Sequence, residues 1–168
     1  MIFLANRANL DKRTLLNRIH NQLQTQAIKD GSSVEHVWYH TSFGNKVGVR
    51  ASLNAPAFLG TEYPIDGAEL HVTFDFPPNR DYDFYKIQWV EPERSLMVGW
   101  HQDKTHMDLG ECHFQIDYRE ETVQRDAATF LDNHPLNVFD QRTDHLIAIL
   151  DSLMWENDLP TVPEHGVR

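Results

Sequence analysis

Trp100-His101-Gln102-Asp103-Lys104-Thr105-His106-Met107-Asp108-Leu109-Gly110-Glu111-Cys112-His113-Phe114-Gln115 is the stretch on which the fold turns. It holds three of the ten histidines and the only cysteine of the chain. Alternating hydrophobicity leads in from Leu96 and resumes through Ile116 to Tyr118. The segment therefore reads as strand, polar loop, strand, with Gly110 serving the turn. In such a hairpin the apolar residues (Leu96, Val98, Trp100, Phe114, Ile116) choose the covered face. Period two then leaves His101 and His113 together on the other face, with Gln115 and Asp117.

The chain before this hairpin extends the same pattern. Val34 to Thr41 and Lys46 to Leu53 form a hairpin signal around Gly44-Asn45, with the facing of the first strand undecided. Leu70, Val72, Phe74 and Phe76 alternate with His71, Thr73 and Asp75, and Tyr85, Ile87 and Trp89 alternate with Lys86 and Gln88. The polar face thus gains Lys46, Arg50, His71, Lys86 and Gln88. A break over 77–81 and a loop over 54–68 separate these strands.

Helical periodicity brackets the strands. Residues 10–28 carry a stripe of Leu15, Leu16, Ile19 and Leu23, with Asn9 or Asp11 placed to cap the start and Gly31-Ser32 the end. At the other end, 120–131 and 138–155 read as two helices divided by Asn133-His134-Pro135. The expected fold is α+β, a single antiparallel sheet of five or six strands with an N-terminal helix and two C-terminal helices on one face. Residues 1–158 are expected to be one domain, and 159–168 a flexible tail.

Bulk composition narrows the setting. No run approaches the roughly 18 apolar residues of a membrane helix, and the apolar start over 1–7 is too short for a signal peptide. One cysteine suits a reducing cytoplasm, and Cys112 falls on the covered side as an unreactive thiol. Residues 1–29 carry a balance of +4 and the remainder −14. The overall acidity opposes non-specific nucleic-acid binding, so Lys12, Arg13 and Arg18 on the first helix are the expected phosphate contacts. No phosphate-cradling Gly loop and no Gly-x-Ser-x-Gly elbow is present.

Three chemistries compete for the polar face. Paired histidines titrate near working pH and serve as acid and base in RNA phosphodiester cleavage, here His101 and His113. Arg50 or Lys86 would stabilise the charge developing on the phosphoryl oxygens. Alternatively, His101, His106 and His113 with Asp103 or Asp108 form a transition-metal set. The spacing His-x4-His-x6-His is not a specific zinc motif, and no cofactor or metal is expected. A third reading is a non-catalytic protein whose polar face binds a partner.

In Trp100, Asp103, His106 and His113, with Tyr85 in the preceding strand, the chain resembles small prokaryotic toxins of the TumE type. The likeness covers 84–116, roughly a fifth of the chain. Gln115 stands where that family would place a second closing histidine, and this chain is longer at both ends. The resemblance implies an RNA target and a protein antitoxin as partner. The expected function is a small cytoplasmic toxin-like ribonuclease.

Overall fold

All six strands read from alternation form, in a computed structural model that describes residues 10–30, 33–76 and 84–163. They are β1 (Val34–Ser42), β2 (Asn45–Asn54), β3 (Gly67–Asp75), β4 (Phe84–Glu91), β5 (Leu96–Gln102) and β6 (Cys112–Tyr118). A seventh, β7 (Glu121–Ala127), completes one antiparallel sheet in sequential order. The helices are α1 (Lys12–Asp30), a short α2 (Ala55–Leu59) inside the expected 54–68 loop, and α3 (Pro135–Asp151). A small hairpin, β8 (Met154–Glu156) and β9 (Leu159–Thr161), follows.

Three expectations are corrected. The sheet has seven strands, not five or six, because 120–131 does not form a helix. Its Glu, Gln, Arg and Ala content favours helix only weakly, and tertiary pairing overrides such a preference. The decisive feature is the two-residue link Arg119–Glu120, where both residues take positive φ (51° and 68°) and turn the chain straight back onto β6. One C-terminal helix therefore replaces two. The third correction concerns the tail. Leu159–Thr161 pair with Met154–Glu156, and Val162 is buried, its amide donating to Gln124 Oε1 at 2.9 Å. Arg7, Asn9, Gly31-Ser32, the break over 77–81 and the end of the tail over 164–168 lie outside the described residues.

The apolar face carries all three helices. Leu15, Leu16, Ile19 and Leu23 of α1 are buried with Val49, Ala51 and Leu53 of β2. Asp11 caps α1, accepting from the Thr14 amide and hydroxyl at 2.8 Å each. Phe58 of α2 meets Trp89 of β4. Arg142 of α3 is fully buried, its guanidinium 4.9 Å from the Trp100 ring centre and donating to Thr129 O at 2.7 Å. Each fully buried large apolar side chain contributes roughly 1.5–3 kcal/mol. No described helix is long and apolar enough to cross a membrane.

The register settles the facing of β1. Val37 and Tyr39 lie opposite Ala51 and Val49, so they join the core. His36, Trp38 and His40 face the polar side, opposite Ser52, Arg50 and Gly48. A register shift between His40 and Thr41 follows. Beyond it Lys46, expected on the polar face, instead donates to Asn17 of α1 and sits over the Tyr39 ring.

Candidate functional site

Seven strands in sequential order turn the polar face into rows. One row runs from His40 through Gly48, Thr73 and Lys86 to His101, His113 and Ala127. The next runs from Trp38 through Arg50, His71 and Gln88 to Gly99, Gln115 and Arg125. These two rows contain three cations, four histidines and no carboxylate, in a chain of net charge −10. The carboxylates sit at their borders and are already engaged. Glu69 Oε2 lies 2.6 Å from His71 Nε2, and Asp75 accepts from Lys12. Asp103 accepts from the Thr105 amide, and Asp117 from Gln115 and Thr122.

His101 and His113 are register partners across β5 and β6, with ring centroids 5.1 Å apart and planes at 76°. His106, from the loop above, meets His113 in the same edge-to-face manner at 5.0 Å. Gln88 Nε2 lies 2.8 Å from His101 Nε2. An amide nitrogen only donates, so Nε2 accepts and the ring proton of His101 sits on Nδ1. His113 is fully buried, and neither of its nitrogens has a hydrogen-bond partner. Such an orphaned buried polar group costs roughly 1–3 kcal/mol.

Both rings are held neutral. Burial, then the charges of Lys86 and of His113, lower the His101 pKa from 6.5 to about 3. Burial, with His106 and Arg125, lowers that of His113 against the opposing pull of Asp103. An anion placed among these groups would reverse the balance, because it offsets the cations and favours the protonated imidazole.

The cation set differs from the one expected. Lys86 is the register partner of His101 and is exposed. Arg125 stands by the same pair and also depresses both rings. Gln115 Oε1 accepts from its Nε at 3.0 Å, while the Gln115 amide donates to Asp117. Gln115 thus ties Arg125 to the site beside His113, on whose ring it also acts. Arg50 belongs to β2, three strands from His101, roughly 14 Å away at ordinary strand spacing; it faces His71 instead. Arg125 escaped the sequence reading because its segment has helix-forming residues and no glycine at its turn. Lys12, Arg13 and Arg18 ride on α1, across the sheet from the histidines, and Lys12 is paired with Asp75.

The loop over 103–111 closes the end of the site. The Asp103 amide donates to Glu111 O at 3.0 Å, and a 3₁₀ turn spans Met107–Leu109. Among the described residues no group of three or more His, Cys, Asp or Glu is arranged to hold a metal, so the set His101, His106, His113, Asp103 and Asp108 is not assembled. A cavity of about 280 Å³ opens beside Lys86, lined by Thr73, Phe84, Gln102 and Asp103 among others. Gly99 keeps the site close-packed: a Cβ there would strike the Ile87 carbonyl oxygen and lie 2.8 Å from Gln88 Cα. Comparison of the chain with protein-family models, curated proteins and solved structures returns no match.

Proposed function

We propose that the polar face binds RNA and cleaves it, as a small cytoplasmic ribonuclease that a protein antitoxin restrains. The observation that carries this reading is the pair of acid-free rows, cationic within an acidic chain, that converge on two buried imidazoles. Lys86 and Arg125 receive the phosphodiester anion, and its charge lets a proton onto the imidazole pair. In the reaction the RNA 2′-hydroxyl attacks the adjacent phosphorus and expels the 5′-oxygen, leaving a 2′,3′-cyclic phosphate. One imidazole takes the 2′ proton and the other supplies the proton that leaves with the 5′-oxygen. His113, its pKa lowered chiefly by burial, is the second ring of the pair. His101, fixed by Gln88, presents Nδ1–H.

A second reading has its own support. The Gln88 bond and the neutral state of His101 also suit non-catalytic binding of an anionic partner. The two separate cleanly by experiment. Cleavage of RNA by the purified chain, and growth arrest of the host that His113→Ala, Lys86→Ala and Arg125→Ala each relieve, support the enzyme. Intact RNA at both low and high salt, with binding retained, supports the partner-binding protein and retires cleavage.

A further inference from the structure

Trp38 and His36 are used neither by the core nor by the cleavage chemistry. They lie on β1, the edge strand of the sheet, and both face the polar side. Their rings stack with centroids 5.4 Å apart and planes at 18°. Val37 and Tyr39 supply the strand's contribution to the core from its other face, so packing does not account for the indole. Trp38 is only half-buried and His36 is exposed.

Their neighbours are informative. Trp38 is the register partner of Arg50, which is in turn paired with His71, in a row without a carboxylate. A flat aromatic surface beside a guanidinium matches the two needs of single-stranded nucleic acid, a π-face for the base and a cation for the phosphate. In a duplex each base face is already stacked, so no base is free to take the indole.

We propose that Trp38 is a stacking platform for an unpaired base, and that the substrate class of the polar face is single-stranded RNA. This rests on the reading of that face as an RNA site. Trp38 stands on β1 and His101 on β5, four strand spacings or roughly 19 Å apart. The stacked base is therefore not the one at the cleaved bond, and the site spans several nucleotides. A dinucleotide reaches the histidines without reaching Trp38.

Fluorescence of the full-length chain tests this. Trp89 and Trp100 are fully buried, so a Trp155→Phe background leaves Trp38 as the accessible indole. The titrants are a 2′-O-methyl single-stranded octanucleotide, the corresponding duplex, polyphosphate and poly-glutamate. The single strand should bind and quench, whereas the duplex and polyphosphate should leave the emission unchanged. Trp38→Ala should weaken single-strand binding roughly 5- to 150-fold and leave polyphosphate binding and dinucleotide cleavage as they were. Trp38→Phe, which keeps an aromatic face, should restore most of the binding and guards against a misfolded variant. Single-strand binding without quenching overturns the stacking role while the anion reading survives. Poly-glutamate binding as tightly as the RNA also overturns it, and assigns the face to an acidic protein. Failure of every anion to bind removes both readings.

Discussion

Gln88 donates through Nε2 to Nε2 of His101 at 2.8 Å, and this one bond fixes the tautomer of the ring at the centre of the polar face. The two residues sit on adjacent strands, two residues out of register, since Gln88 pairs with Gly99 and His101 with Lys86. Replacing the donor by a carboxylate should invert the local electrostatics. In Gln88→Glu, a negative charge beside the ring favours imidazolium. The His101 titration, followed by its NMR resonances, should move well up from about 3. A titration that stays put would show that Gln88 does not govern this ring.

Acid should destabilise the fold early. His101 has a folded pKa below its unfolded value, so between about pH 6.5 and 3 the unfolded chain binds the extra proton. Its contribution to stability is complete above that window and is lost as pH falls through it. The slope approaches roughly 1.4 kcal/mol per pH unit from this ring, and His71, His113 and His145 are shifted in the same direction. Urea midpoints should fall between pH 7 and pH 5, and fall less in His101→Gln. Equal slopes in the two proteins would contradict the assignment.

Gly99→Ala should separate β4 from β5. The added methyl meets the backbone of Ile87 and Gln88, which cannot swing aside as a side-chain tip would. A loss of roughly 1–3 kcal/mol is expected, together with the Gln88–His101 bond. Gly67→Ala, with nothing within 4 Å of its Cβ, is the control and should be tolerated. Thermal melts of the two variants decide between local crowding and a general intolerance of β3–β5.

Much of the architecture was legible from alternation alone. Period two in β3 to β6 placed Lys86, His101 and His113 on one side, and the register confirms that grouping. What alternation does not carry is the order of strands. The same parity put Arg50 beside the histidines, although the sequential order holds it three strands away. Nor does it carry the turn at Arg119–Glu120, where two ordinary side chains adopt positive φ and bring Arg125 into the site. The depressed pKa of His101 was equally hidden, because it arises from burial and from Lys86 on another strand.

Glu91 illustrates the same limit in the core. Alternation alone says nothing of its partners: it is a fully buried carboxylate accepting from Trp89 Nε1, Tyr63 Oη and Arg94 Nε at 2.6–2.7 Å. Glu91→Ala strands three donors and should cost roughly 3 kcal/mol, read as a lowered denaturant midpoint. A change under roughly 0.5 kcal/mol, the scale of a surface substitution, would mean the cluster adds nothing.

The central claim is that an RNA phosphate enters between Lys86, Arg125 and the histidine pair and changes the protonation of the rings. Imidazole NMR spectra of His101 and His113, recorded through a pH titration with and without a saturating 2′-O-methyl RNA octanucleotide, test it most directly. The free protein should show both rings neutral at pH 7. With RNA bound, at least one should carry a proton at that pH, and Lys86→Ala should diminish the shift. Identical titration curves for both rings in the presence of bound RNA would contradict the account.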